Sequence, residues 1–128
     1  AWAAMAAMVE AYGMGLIPFS PLANGLLTGK YRRNQALPAG ARLTVTQRMA
    51  DRYLTDRNWA VVEKLADFCA SRERSMLELA MSWLASRPAV SSIIAGATRP
   101  DQLEQNARAV EWALTKDDLD EIDRLTAS

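Results

Sequence analysis

The sequence contains no histidine and a single cysteine, Cys69, in 128 residues. Without histidine, imidazole acid–base catalysis, Ser-His-Asp and Cys-His nucleophilic centres and every His-ligated metal site drop out. A lone thiol can form neither an intramolecular disulfide nor a structural zinc site, so no metal site is expected. Such sparing cysteine use fits a reducing, cytoplasmic setting. Neither charge sign is in surplus: 15 basic residues stand against 15 acidic ones. That balance gives no electrostatic basis for a nucleic-acid or membrane-surface partner. Long apolar runs are missing too, none approaching the ~20 residues of a membrane span. No basic stretch precedes the apolar opening, as a secretory signal would require. What is present is 50% hydrophobic and 23% charged, the profile of one globular domain rather than a disordered chain.

The opening residues AWAAMAAMVEAYG do not start with methionine. Trp2, Met5, Met8, Val9 and Tyr12 recur at spacings of three and four, which predicts the buried stripe of an amphipathic helix over 1–12. Gly13 and Gly15 sit where its C-cap and a turn belong. A helix already under way at the first residue predicts a piece of something longer, with 1–128 as one N-terminally truncated domain. Residues 16–20, Leu-Ile-Pro-Phe-Ser, predict a short buried strand weakened by Pro18. Residues 21–57 show little periodicity and carry seven basic against two acidic side chains, a local balance of +5. Such a long stretch is either a solvated surface loop or a loop that meets an anion.

Regular signals return beyond it. Trp59, Val62, Leu65, Ala66 and Cys69 predict one face of a helix over roughly 57–72, with Cys69 as a small core residue. Ser75-Met76-Leu77-Glu78 is a capping-box pattern opening a second helix through Leu77, Ala80, Met81 and Leu84, stopped by Arg87-Pro88. Val90 to Ala95 predicts a second strand ending at Gly96. Thr98 is then a suitable N-cap, Pro100 suits a first turn and Asp101 the positive helix end. Leu103, Ala107 and Val110 predict that helix's buried face. Thr115-Lys116-Asp117-Asp118 caps a last helix bearing Leu119, Ile122 and Leu125. Strands separated by helices imply parallel pairing with right-handed crossovers. Two strands make no stable sheet alone, so the pattern predicts two neighbouring strands of a larger α/β barrel or open sheet.

Two places carry chemistry, and both follow a predicted strand. Ser20-Pro21-Leu22-Ala23-Asn24-Gly25, running on to Lys30, offers hydroxyl, amide and exposed backbone N–H groups beside a positive charge. It is an ordinary turn or a ligand loop. It is not a Walker A loop, since Asn24 stands where glycine belongs and Tyr31 where serine or threonine belongs. Gly96-Ala97-Thr98-Arg99 joins strand to helix. Free N–H groups and the dipole end of the helix suit a phosphate, and Arg99 can clamp one in bidentate fashion. Gln102 and Asn106, four apart, share a face. The alternative is a capped surface helix with solvated amides.

At these residues the sequence resembles the C-terminal part of an aldo-keto reductase. IPFSPLANGLLTGKY at 17–31 resembles the loop after the seventh strand of those (β/α)8 barrels. SSIIAGATRPDQLEQNARAV at 91–110 resembles their eighth strand and the helix after it, with about sixty residues between the two motifs. The resemblance implies an α/β fold class: the C-terminal portion of a (β/α)8 TIM barrel, its last two strands and surrounding helices, incomplete by itself. It implies NADP(H) as cofactor. Ser20, Pro21, Leu22, Ala23 and Gly25 would face the pyrophosphate with Lys30 nearby, and Arg42 the adenosine phosphate. Gly96, Thr98, Arg99 and Gln102 would hold the 2′-phosphate, and Gln105 with Asn106 the adenine side. Many relatives carry Glu where Gln105 stands. The family's catalytic Asp, Tyr, Lys and His belong to the N-terminal half of the barrel. Tyr12, Tyr31, Tyr53 and Lys30 do not match them, so no catalytic residue is expected here. The resemblance implies an NADPH-dependent reductase acting on a small carbonyl substrate. It also admits a non-catalytic subunit of the same fold, as in potassium-channel beta subunits, or an inactive fragment that self-associates or contacts the missing barrel half.

Overall fold

The computed structural model describes residues 2–127; Ala1, placed by the sequence reading in the first helix, and Ser128 lie outside them. Among the described residues seven α-helices follow one another: α1 (Trp2–Ala11), α2 (Arg42–Val45), α3 (Gln47–Tyr53), α4 (Asp56–Ser71), α5 (Met76–Ala85), α6 (Pro100–Arg108) and α7 (Lys116–Thr126). A kinked 3₁₀ segment spans Ala23–Thr28.

The helices with caps written into the sequence form where expected. The Thr55 hydroxyl accepts the Asn58 N–H at the start of α4. At α5, Ser75 accepts the Glu78 N–H at 3.2 Å while Glu78 accepts the Ser75 N–H at 2.8 Å, a complete capping box. Thr115 and Asp118 repeat the arrangement at α7. Each cap satisfies N–H groups that the first helical turn leaves without partners.

The core lies between these helices. Trp59, Val62, Leu65, Phe68 and Cys69 of α4 meet Met76 and Leu79 of α5, Ile122 of α7 and Trp112. The rings of Phe68 and Trp112 stack with centroids 6.1 Å apart. Arg72 covers that stack, its guanidinium carbon 3.8 Å from the Phe68 centroid. The same side chain reaches Asp118 at 2.7 Å and Glu121 at 3.2 Å, tying the end of α4 to α7.

The two predicted strands are single parallel bridges, not ladders. Leu16 pairs with Val90 and Phe19 with Ile94, through Leu16 N–H to Ala89 O, Ser91 N–H to Leu16 O and Ile94 N–H to Pro18 O. Parallel pairing is as expected; continuous strands and buried side chains are not. Pro18 has no N–H to donate, and the described residues contain no third strand to flank the pair. Ile17, Phe19 and Ile94 are exposed, Phe19 by 81%. Gly15 is needed for the close approach, since a β-carbon there would lie 1.8 Å from the Ser91 hydroxyl.

Three further expectations are corrected. The stretch 21–57 is not one irregular loop but holds the 3₁₀ segment, α2 and α3. In α1, Val9 is buried and Trp2 half-buried against Trp83 (centroids 5.7 Å apart), whereas Met5 and Met8, and Tyr12 just after the helix, are exposed. Leu103 and Ala107 of α6 and Val110 just beyond its end face outward, and the helix buries no residue. Periodicity locates an apolar face; what it packs against lies elsewhere in sequence. The burial of Cys69 in the core is as predicted.

Candidate functional site

Two loops leave the bridged segments at the same edge. With Phe19 beside Ile94 in parallel register, the chain runs out in one direction past both residues. Ser20 opens the first loop and Gly96 lies in the second.

The first loop is built on unusual backbone. Ser20, Ala23 and Asn24 have φ of 55°, 47° and 58°, and Gly25 has 96°. A left-handed conformation costs a residue with a β-carbon roughly 1–2 kcal/mol. It persists where surrounding contacts impose it, and it clusters at ligand clamps. Here the Ala23 N–H donates to Ser20 O at 3.0 Å, the Gly25 N–H to Leu22 O at 2.8 Å and the Thr28 hydroxyl to Gly25 O at 2.7 Å. The backbone at Gly25 favours glycine, and a β-carbon would meet Lys30 Cε at 2.8 Å and Nζ at 2.9 Å. Lys30 thus lies folded over Gly25, its ammonium 5.1 Å from the Tyr31 ring centroid. Arg42, at the start of α2, donates from Nη1 to Asn24 Oδ1 at 3.4 Å. The buried Tyr31 fixes α2, since its hydroxyl accepts the Leu43 N–H at 3.1 Å. Two cations therefore converge on Asn24 and Gly25. Ser20, Pro21, Leu22 and Ala23 are all half-buried beside them.

The second loop differs from expectation at its cap. Arg99, not Thr98, is the N-cap of α6, in extended conformation and with no side-chain cap bond. The reason is Pro100: the residue before proline is driven out of the helical region, so the helix starts at the proline itself. Thr98 is engaged otherwise. Its N–H and hydroxyl both donate to Gln102 Oε1, at 2.9 and 3.1 Å. Asn106 Nδ2 donates to Gly96 O at 3.5 Å. Gln102 and Asn106 do share a face, and both reach back to hold the 96–98 backbone. Gly96 is exposed, with no atom within 4 Å of an added β-carbon, so a ligand has room there. Arg99 grips Asp101 in bidentate fashion, Nε to Oδ1 and Nη2 to Oδ2, each at 2.9 Å. The bonds from Asp101 raise the Arg99 pKa, and those from Arg99 hold the Asp101 carboxyl below its ordinary value. Both side chains are exposed, and so is Gln105.

Sequence reasoning missed the partners rather than the places. Asn24 carries the contact to Arg42, Tyr31 anchors α2, and Asp101 occupies the Arg99 fork. Asn24 had a signal, since asparagine tolerates left-handed backbone. The Tyr31–Leu43 and Arg42–Asn24 contacts join residues 12 and 18 apart across a loop without periodicity.

Two cavities of about 390 Å³ each lie away from the second loop. One is beside Ala23, Leu27, Tyr53 and Asn58, the other beside Tyr31, Arg32, Trp59 and Cys69, and neither includes a residue of the second loop. Among the described residues no cluster of three or more His, Cys, Asp or Glu side chains could hold a metal ion. Among the same residues no helix is long and apolar enough to cross a membrane.

Comparison with known proteins bears on this arrangement. The model of the Aldo/keto reductase family matches residues 3–127. A probable voltage-gated potassium channel subunit beta of Oryza sativa subsp. japonica is 36% identical over 125 residues, covering 94% of this chain and 38% of that protein. An L-glyceraldehyde 3-phosphate reductase of Escherichia coli O157:H7 is 34% identical over 117 residues, covering 88% of this chain and 33% of that protein. In fold, the chain is similar to the glycerol dehydrogenase of Gluconobacter oxydans, with a TM-score of 0.73 at 22% identity, over 93% of this chain and 36% of that one. The chain thus spans little more than a third of the length of these relatives.

Proposed function

Since the chain belongs to the aldo/keto reductase family, we propose that it forms the NADP(H)-binding wall of an oxidoreductase that reduces a small aldehyde or ketone. The observation that carries this reading is the parallel register of Phe19 with Ile94, which sends both polar loops out at one edge. The donor set fits a polyanion. Lys30 and Arg42 converge on the first loop; Arg99 and the uncapped start of α6 mark the second. Helix N-termini favour phosphate through their free N–H groups and dipole.

In this reading Ser20, Pro21, Leu22, Ala23 and Gly25 cradle the pyrophosphate, with Lys30 and Arg42 supplying charge. Gly96 admits the ligand close to backbone, Thr98 and Arg99 meet the 2′-phosphate, and Gln105 and Asn106 lie toward the adenine. Gln102 and Asn106 act first by fixing the 96–98 backbone through the bonds described above. Arg99 exchanges Asp101 for the phosphate, a like-for-like swap of oxygen acceptors. The cofactor supplies the hydride when bound; the chain binds and orients it. The proton donor and the carbonyl pocket belong to the rest of the whole protein, which packs on the exposed edge carrying Ile17, Phe19 and Ile94.

Cofactor titrations of the whole protein and its Arg99→Ala variant test the assignment. NADPH should bind about tenfold more weakly to the variant and NADH almost equally well, as for loss of one charge-assisted contact. The NADPH loss should shrink at high salt. Equal losses for both cofactors, or none, would remove Arg99 as the selector. A second reading, a cofactor-binding regulatory subunit, is favoured by the 36% identity to the rice channel subunit. NADPH oxidation by the whole protein over a panel of aldehydes separates the two: turnover supports the reductase, cofactor binding without turnover the subunit.

A further inference from the structure

We propose that the cavity between α4 and the 29–35 turn is a second binding site, and that it takes a small amphiphilic carboxylate, an apolar ring or chain with one negative end. The cavity of about 390 Å³ lies within the size range of small-molecule sites. Its floor is apolar, made of the buried side chains Trp59, Val62, Cys69 and Met76. The Cys69 sulfur is 3.8 Å from the Met76 sulfur. Burial first, then Glu78, push that thiol up to about 11 against the opposing pull of Arg72, so it is an uncharged floor atom and not a nucleophile.

The mouth is cationic. Arg32, Arg33 and Arg74 line it, against Glu63 as the sole lining carboxylate. Two of the three guanidiniums are already matched. Arg33 binds Asp56 and lies 3.7 Å from Glu63; Arg74 binds Glu78 at 3.0 Å and sits 5.6 Å over the Trp112 ring. Arg32 is exposed, and its side chain makes no ion pair or hydrogen bond among the described residues. One uncompensated cation therefore lines the cavity together with an apolar floor. A bare phosphate would leave that floor unused, and a neutral hydrocarbon would leave Arg32 unused. A monocarboxylate with an apolar tail uses both. Tyr31 forms part of the wall, the same ring that backs Gly25 in the first loop. The proposal does not depend on the function assigned to that loop.

The test is to titrate the whole protein with 4-phenylbutyrate and with its neutral amide, following heat and tryptophan fluorescence. The acid should bind saturably with a dissociation constant of about 1 mM, as expected for a ligand of roughly a dozen heavy atoms. The amide should bind at least about fivefold more weakly. Arg32→Gln should bring the acid down to the level of the amide without changing the amide. Ala70→Trp, which fills the cavity from an exposed lining position, should abolish both. Absence of saturable binding by the unaltered protein, equal affinity for acid and amide, or undiminished acid binding by Arg32→Gln would each overturn the proposal. The acid–amide comparison needs no variant and stands if a variant fails to fold.

Discussion

Residues 55–86 with 115–126 and residues 12–20 with 89–110 respond differently to the same kind of sequence signal. In the first region, apolar periodicity and capping residues produce long helices whose stripes are buried: Trp59, Val62, Leu65, Phe68, Leu79 and Ile122 all lie in the core. In the second, equally apolar positions remain outside, with Phe19 81%, Leu103 63% and Ile94 59% exposed. The difference is one of range. A capped helix satisfies its own backbone, and α4 finds its packing partners, α5 and the distant α7, within this chain. A bridged strand needs neighbours on both sides for its N–H and C=O groups. The second region is also where both candidate cofactor loops begin, so the site stands on the part of the chain least able to hold itself.

The sharpest way to break this comparison is to truncate one apolar side chain in each region. Leu65 is 7% exposed, and Leu65→Ala should cost about 2–5 kcal/mol through lost transfer energy and a residual cavity. Phe19→Ala, at an exposed edge, should change the stability of this chain by less than about 0.5 kcal/mol. Urea unfolding of the two variants measures both. A comparable loss from Phe19→Ala would mean that the bridged edge belongs to the cooperative core.

The sequence made legible what is encoded within about four residues. The capping box at Ser75–Glu78, the cap at Thr115, the burial of Trp59, Val62, Leu65 and Cys69 on one face of α4 (Ala66, expected with them, is exposed) and the shared face of Gln102 and Asn106 follow from spacing alone. Family resemblance identified both loops, and the parallel pairing behind them followed from strands separated by helices. What stayed hidden depends on distant partners or on competing local rules. Thr98 is a good cap by type, but Pro100 shifts the cap to Arg99 and Gln102 takes up the Thr98 hydroxyl. Arg42 could be placed in a loop of uncertain register, not against Asn24. The outward stripe of Leu103, Ala107 and Val110 has the right period and no partner among the described residues.

A smaller contrast lies in the caps. Ser75→Ala removes the acceptor for the Glu78 N–H and leaves Glu78 without the Ser75 hydroxyl, which should cost about 1 kcal/mol. Thr98→Ala removes a hydroxyl of the same chemical kind that caps no helix and should cost a few tenths of that, about 0.3 kcal/mol. Thermal or chemical unfolding of the pair distinguishes cap geometry from cap-like sequence. Equal losses would show that the α6 end draws on Thr98 as a cap after all.

The last contrast is electrostatic and concerns how the helical region is tied together. Burial alone would raise the Asp118 pKa. The Thr115 N–H and hydroxyl and the Arg72 guanidinium outweigh it and hold the carboxyl below its ordinary value. A group whose folded pKa is depressed adds stability above its unfolded pKa, about 3.9 for aspartate, and that stability is lost as pH falls through the lower folded value. Arg72 is the far partner, its side chain 31% exposed against 13% for Asp118, so solvent weakens the pair and its worth is below about 1 kcal/mol. Asp118→Asn keeps an acceptor for the Thr115 N–H and removes the charge together with the second oxygen, which accepts from Arg72 Nε. The stability difference between the unaltered chain and Asp118→Asn should be greatest above about pH 4 and shrink steadily toward pH 2. By contrast, Asp101→Asn at the start of α6, where the paired Arg99 and Asp101 side chains are 63% and 53% exposed, should show a smaller pH-dependent difference of the same sign. A flat difference for Asp118, or an equally steep one for Asp101, would mean that charge does not distinguish the packed helices from the exposed edge.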